Sequence, residues 1–202
     1  MPAHLPLRDA LADGVSARAA DLLRRQHARG LADHAMAVGR LTIAACRTLD
    51  LDEARTAEFA RAALFHDAGK LEIPPQILGR PAPLSSAAWA VVRTHPERGE
   101  RLVAPVPELA DVAPIVRHHH ERWDGGGYPS GLAGDDIPLG ARIVFACDAF
   151  DAMTSIRCYR PTLSAAAALE EVRAGGGTQF DPDVAAAVVE TVARSDRFIR
   201  GR

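Results

Sequence analysis

The chain has 202 residues, 48% of them hydrophobic and 5% aromatic, with 24 basic against 26 acidic side chains and a formal net charge of −2. That length holds one large domain or two small ones, the near-neutral charge excludes a general nucleic-acid-binding surface, and the short, charge-broken apolar runs exclude a membrane-spanning helix. So few aromatics leave a core of Ala, Leu, Val and Ile, which favours close-packed helices over a β-sandwich. The N-terminus shows no basic stretch leading into an apolar run, so no signal peptide is expected. Cys46, Cys147 and Cys158 have no CxxC spacing and read as reduced thiols, which points to the cytoplasm.

Residues 8–29 place Leu11, Val15, Ala19, Leu22 and Leu23 at helical spacing, with a basic C-terminal end and Gly30 as the stop. Asp33 is expected to cap a second helix over 32–49, with His34 in its first turn. Asp52 caps a third that runs to about His66. Pro74, Pro75, Pro81 and Pro83 break the next stretch into turns. Ser85 or Ser86 starts a helix to about Thr94, His95-Pro96 another to Val103, and a longer one is expected over 108–120.

Residues 121–138, ERWDGGGYPSGLAGDDIP, form a long Gly/Pro-rich loop. A loop of this length inside a compact domain is functional or disordered, and Trp123 and Tyr128 argue against disorder. Residues 139–153 predict a buried helix. Helices then follow from Thr162 or Ser164 to Arg173 and over 182–194. No repeat or linker interrupts the pattern. The reading is all-α: a helix over 1–30 packed on a single compact helical domain over 31–202.

The stretch 63–78, ALFHDAGKLEIPPQIL, stands apart. It pairs His66 with Asp67 and holds Lys70, the sole lysine in a chain that otherwise uses arginine for positive charge. A compact ammonium suits a phosphate oxygen where the rigid fork of Arg does not fit. If this turn is helical, Lys70 lies on the face of His66. Further ligand-type residues are His34, His95, His119, His120 and Asp148, spread over separate helices and helix ends. Neighbours on a helix point about 100° apart, so a doublet such as His66-Asp67 can serve two metals, with Asp67 bridging. Mixed His and carboxylate ligands without Cys suit Fe, Mn, Co or Zn. Singly, each residue has a blander reading: Asp148 can pair with Arg142, Asp151 can be a structural acceptor, His118 a solvated neighbour, and Trp123 and Tyr128 packing aromatics.

Five motifs in order carry a resemblance: FHDAGKLEIPPQIL (65–78), HPERG (95–99), HHERWDGGGYPSGLAGDDIPLGARI (119–143), DAFDAMTSIRCYR (148–160) and FDP (180–182). With Gly127-Tyr128-Pro129, they resemble the HD-GYP family, a subgroup of the HD metal-dependent phosphohydrolases. The resemblance implies an all-helical domain, its long loop over the active site, that hydrolyses the bacterial second messenger cyclic di-GMP to pGpG and GMP. It implies His34, His66, Asp67, His95, His119, His120 and Asp148 as ligands of two divalent ions, iron or manganese. Lys70 is the implied phosphate contact and, with Asp67, catalytic. Tyr128, Arg157 and Arg160 are the implied substrate contacts.

Two departures are visible. Some relatives place a third-metal Glu where this chain has Gly30, so a third ion is not expected. The usual RPYR reads Arg157-Cys158-Tyr159-Arg160. The resemblance admits a diguanylate cyclase (GGDEF), a sensor or a receiver protein as partner, and a homodimer as the assembly. Two alternatives stay open: a catalytically weak cyclic di-GMP receptor that docks cyclases through the GYP loop, and a hydrolase of another cyclic or linear dinucleotide.

Overall fold

A computed structural model describes residues 16–79, 83–155 and 162–195. Among these residues there is no strand, only an isolated bridge between Gly176 and Phe180. Ten α-helices follow one another: α1 Ala17–Ala28, α2 Ala32–Thr48, α3 Glu53–Phe65, α4 Pro75–Leu78, α5 Ser86–Val92, α6 His95–Val103, α7 Ala113–His118, α8 Leu139–Thr154, α9 Ala165–Ala174 and α10 Pro182–Ala193. No helix here is long and apolar enough to cross a membrane.

Local chemistry sets most helix starts. Ser16, Asp52, Ser85, Ser164 and Asp181 each accept a hydrogen bond from a backbone N–H of the following first turn. Two expectations are corrected. Asp33 does not cap α2. Leu31 occupies that position without a side-chain bond, and Asp33 lies inside the first turn, where its charge suits the helix dipole. The continuous helix expected over 108–120 is split into a 3-10 turn, Pro107–Leu109, and α7. Pro114 lacks an N–H to continue a helix from upstream and restarts it near the N-terminus of α7.

The central helix is α2, which packs against α1, α3, α8 and α10. Its buried face is Ala35, Val38, Leu41, Thr42, Ala45 and Cys46. Alanines on α3 (Ala60, Ala62, Ala63) and α8 (Ala141, Ala146) let these helices approach closely, while Phe59, Phe65, Phe150 and Phe180 fill the space between layers. Cys46 and Cys147 lie in this core. Burial pushes the Cys46 thiol up to about 12, which leaves it inert.

Backbone contact is tightest where α6 crosses the 3-10 turn Ala68–Glu72. Gly69 faces Gly99 there, and a Cβ on Gly69 would lie 1.9 Å from the His95 carbonyl oxygen. That approach brings the start of α6 against the end of α3.

Candidate metal centre

His66, His95 and His119 share one local device. His66 closes α3, His119 closes α7, and His95 follows the end of α5. Each ring donates its Nδ1–H to a carbonyl three residues back: His66 to Ala63 at 2.7 Å, His95 to Val92 at 2.8 Å and His119 to Val116 at 2.7 Å. The carbonyls of a helix's last turn lack intrahelical partners, so the imidazoles satisfy them. Because a carbonyl only accepts, the proton sits on Nδ1 and each Nε2 presents a bare lone pair inward.

His34 is anchored differently. Its Nδ1 donates to Asp151 Oδ2 at 2.7 Å across 117 residues of sequence, and Ser155 Oγ steadies the same carboxylate oxygen. Asp151 is thus the orienting acceptor behind His34. Asp148 faces inward, its Oδ1 lying 3.0 Å from His34 Nε2. The alternative pairing of Asp148 with Arg142 is not formed. Arg142 instead bonds Asp135, Asp181 and the Ile137 carbonyl. His120 stacks on Tyr128 with ring centroids 4.9 Å apart.

These residues converge. His95, His119 and His120 form one triad, and His34, His66 and Asp148 another. In each, the ligand atoms lie within 4.8 Å of one another. Asp67 stands between the triads. Its Oδ1 is 3.3 Å from His95 Nε2, and its Oδ2 is 3.5 Å from His66 Nε2 and 3.9 Å from His34 Nε2. The structure therefore brings together all seven residues expected as ligands.

The donor set fits a cation by its own chemistry. His66 Nε2 and Asp67 Oδ1 are buried without a hydrogen-bond partner. His95 Nε2 and His119 Nε2 face each other at 3.2 Å, two acceptors with no proton between them. Buried lone pairs aimed at one another cost free energy unless a positive ion lies among them.

Electrostatics point the same way. Burial, reinforced by neighbouring imidazoles, lowers the His119 and His120 pKa values, the latter to about 3, so both rings stay neutral. Burial also lowers His66. Burial alone would raise Asp67, but Lys70 and His66 hold it well below the carboxylate range. Asp148 is held low in the same way, through its hydrogen bond with His34.

Lys70 is not on the helical face of His66, because α3 ends at Phe65 and Lys70 sits in the 3-10 turn that follows. Its Nζ donates to Asp67 Oδ2 at 2.6 Å, and the side chain stays 24% exposed. Arg29, at the end of α1, donates to the carbonyls of Lys70, Leu71 and Ile73 and so fixes this turn.

The 121–138 loop is well tied down. The buried Glu121 carboxylate, 1% exposed, accepts from Ser130 N at 2.7 Å and Gly131 N at 3.1 Å, with His118 Nδ1 at 3.4 Å. Trp123 N and Asp124 N donate to the carbonyls of Gln179 and Thr178. Gly127 allows close approach, since a Cβ there would lie 2.3 Å from Arg122 N. Glu121 thus holds the loop that carries Tyr128. Replacing it by Gln leaves one of the two loop amides without a strong acceptor. The expected cost is about 1–3 kcal/mol, read in a thermal melt, with faster amide exchange at Ser130 and Gly131.

Neither Glu121 nor Arg93, whose guanidinium lies 4.5 Å over the Tyr128 ring, was expected from sequence. Glu121 sits next to His120, inside the 119–143 motif, and Arg93 lies two residues before His95. Arg157 and Arg160 lie outside the described residues.

Residues 14–184 match the HD domain family. Over 160 residues the chain is 41% identical to a cyclic di-GMP phosphodiesterase of Pseudomonas aeruginosa, covering 79% of this chain and 38% of that protein. It is 33% identical over 186 residues to a 3'3'-cGAMP-specific phosphodiesterase of Vibrio cholerae, covering 92% of this chain and 40% of that protein. The chain thus spans about two fifths of the length of these curated relatives. Among solved structures, an HDG"Y"P protein from Bdellovibrio bacteriovorus shares the fold with a TM-score of 0.69 at 19% identity, over 93% of this chain and 61% of that one. The family match spans the seven converging residues and the GYP loop. The chain belongs to the HD domain family, in its HD-GYP branch.

Proposed function

We propose that this domain is a metal-dependent phosphodiesterase that opens cyclic di-GMP to the linear dinucleotide pGpG and carries it on to GMP. The observation that carries this reading is the pair of triads on either side of Asp67, with one carboxylate oxygen turned toward each. His95, His119 and His120 would hold one divalent ion, and His34, His66 and Asp148 the other, with Asp67 shared. Iron or manganese suits these ligands, and the cytoplasm supplies them alongside the substrate. When bound, such a pair supplies Lewis acidity toward a phosphoryl group and activates the attacking water.

The chain's own residues do the rest. Lys70 fixes Asp67 with one N–H and has two left for a phosphoryl oxygen. Burial raises the Tyr128 hydroxyl above its ordinary pKa, so it serves as a hydrogen-bond donor and not as a base. Water's oxygen joins phosphorus, the P–O3′ bond breaks, and O3′ leaves with a proton. Support for the substrate comes from relatives named cyclic di-GMP phosphodiesterases at 34–41% identity.

Protonation of His34 gives a pH signature. Burial alone would lower its pKa, but hydrogen bonds to Asp148 and Asp151 raise it to about 10. Below that pH a metal must displace a proton from Nε2, whereas the neutral His119 and His120 release none. Metal affinity therefore keeps rising above pH 7, by up to about tenfold per pH unit, and flattens in His34→Ala. Calorimetric Mn(II) titrations between pH 7 and 9 check this.

Chromatography of cyclic di-GMP incubated with anaerobically metallated protein tests the function. Conversion to pGpG and GMP is expected. The relative specific for 3'3'-cGAMP favours a second reading, in which that dinucleotide is consumed faster. Failure to convert either one contradicts the proposal.

A further inference from the structure

His120, Tyr128 and Arg93 are linked by ring contacts that start at the candidate metal centre. His120 belongs to one of the ligand triads, Tyr128 stacks on it at 4.9 Å, and the Arg93 guanidinium lies over the Tyr128 ring at 4.5 Å. Arg93 is exposed and makes no ion pair among the described residues. Other described arginines are engaged in ion pairs: Arg98 with Glu72, Arg117 with Glu97 and Glu100, Arg122 with Asp124. A guanidinium stacked on a ring keeps its N–H fork free at the edge, the geometry that suits a phosphate.

One helical turn earlier stands Trp89, 52% exposed. The Arg93 N–H donates to the Trp89 carbonyl at 2.9 Å, so the turn is helical and the two side chains share a face of α5. A large exposed indole beside an unpaired cation, at the rim of a metal centre, is the pairing that holds a nucleotide: a π-face for the base and a fork for the phosphate.

We propose that the Trp89–Arg93 face of α5 is the subsite for the half of the cyclic dinucleotide that is not being cleaved, with Arg93 taking its phosphate and Trp89 stacking its purine. This rests on the phosphodiesterase reading and deepens it. The metal centre and Lys70 serve the scissile phosphate and say nothing of the second one. A cyclic dinucleotide carries both phosphates in one ring, so a cation at the edge of the centre, alongside the implied contacts Arg157 and Arg160, helps hold it in a single pose.

Steady-state kinetics of the metallated full chain test the subsite with two substrates: cyclic di-GMP, and bis(p-nitrophenyl) phosphate, a phosphodiester with no second nucleotide. Arg93→Ala and Trp89→Ala are each expected to raise KM for cyclic di-GMP roughly tenfold with kcat within about twofold, the scale of one charged contact or one stacked base. Their penalty on cyclic di-GMP should exceed that on bis(p-nitrophenyl) phosphate by about tenfold. Arg93→Lys should recover part of the loss, and raising the salt concentration should narrow the gap between wild type and Arg93→Ala.

Binding of a phosphorothioate analogue of cyclic di-GMP, followed by calorimetry, gives a readout independent of turnover and should weaken by the same factors. Equal losses on both substrates would mean that Arg93 merely props Tyr128, and would overturn the subsite. So would an unchanged KM in both variants. If wild type cleaves bis(p-nitrophenyl) phosphate but neither cyclic di-GMP nor 3'3'-cGAMP, the phosphodiesterase reading fails first, and the subsite falls with it.

Discussion

Replacing Asp67 by Asn lowers phosphodiester turnover roughly a thousandfold or more and strips metal from both triads. The expectation follows from the position of the carboxylate. One oxygen faces His95 and the other faces His66 and His34, while Lys70 fixes the second oxygen at 2.6 Å. Asn keeps the shape but removes the charge, and its NH2 cannot accept, so one triad confronts a donor where it needs an acceptor. Loss of charge at a buried carboxylate that stabilises the centre costs more than loss of a surface charge would. Elemental analysis and turnover, each on protein whose circular dichroism matches wild type, check the result. Retention of full activity would remove Asp67 from the centre.

Gly69→Ala is the second large effect, and it acts through packing. The added Cβ would sit 1.9 Å from the His95 carbonyl oxygen and 2.5 Å from Gly99 N, both backbone atoms that cannot swing aside. The 3-10 turn and α6 must separate, at an expected cost of about 3 kcal/mol. For a domain of this size the melting temperature falls by roughly 6–12 °C. His95 withdraws from Asp67 and metal is lost with it. Gly30→Ala is the contrast: φ there is +71° but no atom lies within 4 Å of the added Cβ. Its cost is the backbone strain alone, about 1–2 kcal/mol, and metal content holds.

Where the fold was readable, a single residue decided the matter. Asp52, Ser85 and Ser164 mark helix starts because a short side-chain oxygen reaches the first-turn amides, a rule that needs no tertiary knowledge. Asp33 misled because a helix can start without a cap when packing holds it, as α2 does from Leu31. The ligand-type residues stood out because buried chemistry uses few residue types, and the five motifs kept them in order.

Their supports did not stand out. Asp151 reaches His34 across 117 residues, and Glu121 bonds the loop nine and ten residues on. Arg93 meets Tyr128 from another helix altogether. Such contacts depend on how elements pack, which periodicity along the chain does not encode. Lys70 was singled out as the chain's one lysine, but its hydrogen bond to Asp67 emerges only from the 3-10 turn after α3.

Metal stoichiometry tests the central claim most directly. Protein purified anaerobically, loaded with Mn(II) or Fe(II) and desalted, should carry about two ions per chain, falling toward zero in Asp67→Asn. One ion that persists in Asp67→Asn would deny the carboxylate its shared role. No ion under any loading condition would contradict the centre built from the two triads, and the proposed chemistry with it.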